Sequence, residues 1–141
     1  MTGTDIKLLH AMLRVSDMER SLDFYTRLLG MRVIQQREHK KNQFTQAYVG
    51  YGTAEDPLDS PTMVIELVAN WTQEVPYSQG SAFGHIAIGV PSGIGALCER
   101  LAAEGVPVPR PPKPQKHGDT IVAFIEDPDG YRIELVQRAA A

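Results

Sequence analysis

Residues 8–33 read LLHAMLRVSDMERSLDFYTRLLGMRV, and residues 83–108 read FGHIAIGVPSGIGALCERLAAEGVPV. Laid one above the other without gaps, His10 falls on His85, Val15 on Val90, Leu22 on Leu97, Gly30 on Gly105 and Val33 on Val108. Those identities carry little weight alone; their order carries more. Each stretch opens with a short run rich in Leu, Ile and Val (8–15 and 83–90), passes into helical spacing and stops at a glycine. Further on, VIEL at 64–67 matches RIEL at 132–135, so Glu66 falls on Glu134 after a shorter middle segment. The pattern predicts an α+β protein of two βαβββ modules. Neither half is large enough to bury a good core by itself, so the modules are expected to pair. The expected organisation is a single domain over 1–141, with an N-terminal module at 6–70 and a C-terminal module at 83–137.

Local signals agree with that order. Ser16-Asp17 is a good helix start, and Met18, Leu22, Tyr25 and Leu29 then recur at helical spacing up to Gly30. Pro91-Ser92 opens a second helix with Ile94, Leu97, Cys98 and Leu101 on one face, ending at Gly105. Asp127-Pro128-Asp129-Gly130 has the residues of a tight turn, joining TIVAFIE to YRIELVQ as a hairpin. Loops are expected at 52–62, 71–82 and 107–118. The last, PVPRPPKPQKHG, reads as a proline-rich flap because it offers few backbone donors and no periodicity.

Composition removes several classes of function. With a net charge of −3 and no basic cluster larger than Arg37-Glu38-His39-Lys40-Lys41, nucleic acid is not the expected partner. No apolar stretch approaches the ~20 residues of a membrane helix. The first residues interrupt their apolar run with His10 and Arg14, unlike a signal peptide. One cysteine, Cys98, allows no internal disulfide and suits a reducing compartment. The expectation is a cytoplasmic protein with Cys98 in its core.

The matched residues carry chemistry. Side chains alternate along a strand, so Glu66 and Glu134 point away from the isoleucine and leucine on either side. Two imidazoles and two carboxylates then occupy equivalent positions on two sheets, and can converge on one point if the sheets face each other. Burying a lone carboxylate is costly; a divalent cation between the four would balance both. Two nitrogens and two oxygens without a thiolate suit six-coordinate Ni²⁺, Co²⁺, Mn²⁺ or Fe²⁺, with Zn²⁺ not excluded. Two remaining coordination positions would accept adjacent substrate oxygens, while a glutamate takes a proton from carbon. Singly, a histidine in an apolar strand is more often a hydrogen-bonded core residue, and a glutamate there is more often the solvent face. Their repetition in both halves favours the ligand reading. His39 and His117 have no counterpart and are expected to be solvated. Trp71 and Phe83 are read as packing residues, and Glu126-Asp127-Pro128-Asp129 as a turn.

HAMLRVSD (10–17), VIELVANW (64–71), FGHIAIGV (83–90) and FIEDPDGYRIEL (124–135) resemble the signatures of the glyoxalase I (lactoylglutathione lyase) family of the vicinal-oxygen-chelate superfamily, in its short bacterial form. The likeness runs over about residues 6–137. It implies that His10, Glu66, His85 and Glu134 bind one divalent metal, with Ni²⁺ or Co²⁺ preferred and Zn²⁺ or Mn²⁺ as alternatives. It implies isomerisation of the methylglyoxal–glutathione hemithioacetal to S-D-lactoylglutathione through an enediolate, with Glu134 as base and Glu66 assisting. It further implies a homodimer with active sites at the interface, and glutathione contacts from Arg14, Asn70 and Lys116. His117 stands where the family often has glycine, and loop 52–62 is longer than usual. Two other readings remain: a metal-free small-molecule binding protein of the same fold, and a related enzyme such as an acyl-CoA epimerase. The first usually lacks the quartet, and the second typically has glutamine where Glu66 stands.

Overall fold

Asp17 begins the first helix as its sequence position predicts: its backbone is extended and its carboxylate accepts a hydrogen bond from Arg20 N at 3.1 Å. The computed structural model describes residues 5–73, 76–114 and 119–138. The chain divides into two units, Met1–Tyr77 and Ser78–Ala141. In the first, strand β1 (His10–Arg14) leads to helix α1 (Met18–Asp23), which runs on as a π-helical turn at Phe24–Leu28. Strands β2 (Arg32–His39), β3 (Phe44–Gly50) and β4 (Val64–Asn70) follow. The second unit repeats the order with β5 (Ile86–Gly89), α2 (Ile94–Ala103), β6 (Arg110–Pro114), β7 (Thr120–Glu126) and β8 (Arg132–Arg138). Among the described residues each unit has one four-stranded sheet, ordered β1-β4-β3-β2 and β5-β8-β7-β6. The first strand of each pairs parallel with the last, and the remaining neighbours are antiparallel. Both units are therefore βαβββ, and the fold is α+β.

The π turn changes which residues the first helix buries. A regular helix would bury Met18, Leu22, Tyr25 and Leu29. The wider turn instead brings Phe24, Tyr25, Leu28 and Leu29 all into the core, while Leu22 is only half-buried. Gly30, at φ +77, closes the helix with hydrogen bonds from Gly30 N to Thr26 O and Met31 N to Tyr25 O. Beneath lie Leu13 and Val15 of the β1 segment, Ala47 and Val49 of β3, and Ile65 and Leu67 of β4. In the second unit Ile94, Cys98 and Leu101 of α2 are buried with Ala123, Ile125, Ile133 and Leu135, and burial pushes the Cys98 thiol up. The start of α2 is capped from outside its own segment: Ile94 N donates to Gln137 Oε1 of β8 at 2.8 Å. No described helix is long and apolar enough to cross a membrane.

Three expectations need correction. The apolar run at 8–15 does not all become buried strand: β1 begins only at His10, and Leu8 and Leu9 are exposed, although Leu9 O still accepts from Val64 N at 3.1 Å. Similarly β5 starts only at Ile86, leaving His85 just ahead of it. The proline-rich segment is not wholly a loop. Arg110–Pro114 forms the edge strand of its sheet, with an irregular register against β7. An edge position and a bulge are where residues lacking an N–H are tolerated. The DPDG turn is as expected, and Asp127 Oδ1 secures it by accepting from Asp129 N and Tyr131 N, both at 2.9 Å.

Gly50 ends β3 in close contact with β4. A Cβ placed there would lie 2.7 Å from Val64 Cγ1, and Val64 is itself buried and β-branched. Gly50→Ala is expected to cost about 1–3 kcal/mol of stability by overpacking, read as a lowered Tm in a thermal melt. An unchanged Tm would mean that the two strands can part without strain.

Candidate metal centre

Strand pairing determines where each ligand-type side chain lies. In the first unit Glu66 of β4 is level with Met12 of β1, so His10 stands two residues before Glu66's direct neighbour. In the second, Glu134 of β8 is level with Ala87 of β5, and His85 stands two residues before that. The diagonal relation is thus identical. It sets His10 Nε2 3.2 Å from Glu66 Oε1, and His85 Nε2 3.6 Å from Glu134 Oε1. Each imidazole also meets an aromatic ring of the third strand edge-on: His10 against Tyr48 and His85 against Phe124, both with centroids 5.3 Å apart.

The pairs fit a divalent ion. Ligands about 2.1 Å from a metal and adjacent in its shell lie roughly 3 Å apart, close to both observed N–O separations. Nε2 faces the carboxylate in each pair, while His10 Nδ1 is buried with no hydrogen-bond partner among the described residues. In neither unit do the described residues gather three or more such side chains; each unit supplies one imidazole and one carboxylate.

The two carboxylates are not equivalent. Glu66, whose side chain is 15% exposed, has Oε2 2.6 Å from Gln46 Nε2. Since a carboxylate only accepts, the Gln46 amide nitrogen must face it. The same nitrogen lies 3.1 Å from the Tyr48 hydroxyl. The amide oxygen then faces His39 Nε2 at 2.9 Å, which must donate. His39 is stacked on Phe44, with centroids 4.3 Å apart. Burial first, and the Glu66 charge second, push the Tyr48 phenol up, keeping it neutral at neutral pH. In the second sheet Val122 and Phe124 occupy the register positions of Gln46 and Tyr48. The Glu134 carboxylate has, among the described residues, only His85 as a polar partner.

Gln46 and Tyr48 were not singled out by the sequence, and His39, expected to be solvated, is instead half-buried against Gln46 and Phe44. Setting TQAYV (45–49) over IVAFI (121–125) would have exposed the difference, since Gln and Tyr replace Val and Phe on Glu66's face. Of the other expected site residues, Arg14 is level with Val68 of β4 and so shares the face of His10 and Glu66. Strand β4 does extend to Asn70, whose Nδ2 donates to the Tyr77 hydroxyl at 2.9 Å. Lys116 and His117 lie outside the described residues. Trp71 is exposed at the surface, with Nε1 donating to Thr45 Oγ1, and Phe83 packs against Tyr131.

The chain is thus a protein of duplicated βαβββ units, each with an imidazole and a carboxylate on one sheet face. Residues 7–135 match the model of the Glyoxalase/Bleomycin resistance protein/Dioxygenase superfamily, and the chain belongs to it. It is 47% identical over 133 residues to the lactoylglutathione lyase of Neisseria meningitidis, covering 94% of this chain and 91% of that protein. Among solved structures, glyoxalase I from Zea mays superposes with a TM-score of 0.83 at 36% identity, over 96% of this chain. This chain spans 46% of the maize protein's length. The trypanothione-dependent glyoxalase I of Leishmania major gives a TM-score of 0.78 at 34% identity, covering 94% of this chain and 87% of that one.

Proposed function

We propose that this chain is a lactoylglutathione lyase, isomerising the methylglyoxal–glutathione hemithioacetal to S-D-lactoylglutathione with the aid of a divalent metal. The observation that carries the reading is the repeated pair: His10 with Glu66 and His85 with Glu134, joined by the same diagonal register in both sheets. Relatives of nearly equal length carry that activity in their names. His10, Glu66, His85 and Glu134 would hold the ion, with Ni²⁺ or Co²⁺ favoured and Zn²⁺ or Mn²⁺ accommodated. When bound, the ion supplies Lewis acidity toward two adjacent substrate oxygens.

The chain's own residues do the rest. Glu134 takes the proton from C1 of the hemithioacetal, and Glu66 assists its return at C2. Supporting that division, Glu134 lies among groups that do not hold its oxygens, whereas Glu66 is tied to Gln46. Arg14 and Asn70 meet the polar ends of the thiol tripeptide, with Lys116, outside the described residues, as a third contact. A guanidinium on the ligand face of β1 suits a substrate bearing carboxylates. The half-sets are completed in a homodimer, His10 and Glu66 of one subunit acting with His85 and Glu134 of the other. Exposed Ile6, Leu8, Leu9 and Met12 near His10 supply apolar surface for that contact. The protein is assigned to the cytoplasm, where its single cysteine stays reduced.

The test is thioester absorbance with methylglyoxal plus glutathione across a panel of metals, with trypanothione as a second thiol because one structural relative depends on it. Metal-dependent thioester formation with glutathione is expected. Its absence under every metal would remove the reading.

A further inference from the structure

We infer that Gln46, backed by His39, is a positioning residue that makes Glu66 the fixed carboxylate of the centre; this rests on the proposed metal-dependent function. The carboxamide occupies Glu66 Oε2 at 2.6 Å and leaves Oε1 directed toward His10 Nε2 at 3.2 Å. One oxygen is therefore committed to the protein and the other is presented beside the imidazole. His39 sets the amide's orientation from behind, donating to Oε1 of Gln46 while its ring is held on Phe44. The chain Phe44–His39–Gln46–Glu66 thus restrains a carboxylate that otherwise rotates about its terminal torsion. In the second sheet Val122 and Phe124 offer Glu134 no equivalent donor. The arrangement divides two carboxylates of matching sheet position into a holder and a mobile group.

The experiment compares wild type, Gln46→Leu and His39→Phe, each stripped with chelator and titrated with Co²⁺ against a chromophoric competitor. The Co²⁺ visible spectrum and thermal melts are recorded alongside. Leucine keeps comparable apolar bulk in the strand without the amide, and phenylalanine keeps the stack on Phe44 without the ring nitrogen. Loss of an outer partner of a ligand typically weakens metal binding ~10–100-fold. That range is expected for Gln46→Leu, with an altered Co²⁺ spectrum and a Tm near wild type. A smaller loss in the same direction is expected for His39→Phe, which carries the test if Gln46→Leu does not fold. If both variants bind Co²⁺ as wild type does, with the same spectrum, Gln46 has no positioning role while the lyase reading stands. If wild type itself binds no metal and forms no thioester, the lyase reading fails and this inference falls with it.

Discussion

Glu134→Gln is expected to lower kcat by about 10²–10⁴-fold, the usual contribution of a well-placed proton-transfer group. Glutamine preserves the shape of the side chain and an oxygen donor, but its amide cannot take a proton from carbon. Glu134 suits the role for two structural reasons. Its side chain is 21% exposed, so a substrate can reach it. Its neighbours across the strand, Phe124 and beyond it Val122, do not tie its oxygens down. The comparison requires metal content measured for wild type and variant, because loss of the ion would mimic loss of the base. Turnover within about fivefold of wild type at full metal occupancy would take Glu134 out of the proton transfer.

Stripping the divalent ion is expected to bring thioester formation to background, with Ni²⁺ or Co²⁺ restoring it more fully than Zn²⁺. Two carboxylates and two imidazoles, with no thiolate among them, favour an ion of higher coordination number. The carboxylates also have a stake of their own. Each lies between apolar neighbours, Ile65 and Leu67 or Ile133 and Leu135, in the middle of a sheet, where an unbalanced charge is costly. Stability should therefore follow the ion. At a free concentration one hundred times its dissociation constant, a ligand specific for the folded state adds about 2.7 kcal/mol, visible as a rise in Tm on metal addition. Full turnover in protein shown by elemental analysis to be metal-free would contradict both the ligand assignment and the chemistry drawn from it.

The repeat was legible because it is written in local terms. Gly30 and Gly105 stop helices by adopting positive φ, and Asp17 caps one through its own side chain. The alternation around Glu66 and Glu134 marks strand faces wherever those strands pair. Histidine and glutamate at matched positions pointed to two equivalent pairs, and the shared register sets each histidine beside its half-buried glutamate. The π turn was not legible. Met18, Leu22, Tyr25 and Leu29 fit a regular helix well, and the burial of Phe24 and Leu28 that accompanies the irregular turn shows only in the packed unit. Nor was the strand at Arg110–Pro114, because its proline content argues against pairing unless the strand is known to lie at an edge.

By itself, then, the amino-acid sequence determined the duplicated βαβββ order, the matched histidines and glutamates of the two halves and the apolar faces of the strands, features that residue type, local spacing and repetition carry. Pairing of the first and last strands of each sheet set each imidazole beside its carboxylate. The exchange of Gln46 and Tyr48 for Val122 and Phe124 is written in the sequence, but only the tertiary structure decided that it ties one carboxylate and leaves the other. Gln46 and His39 reach Glu66 through pairing between β2, β3 and β4, across turns whose register no local pattern specifies. A one-residue slip in that register would turn Gln46 to the opposite face and free the carboxylate.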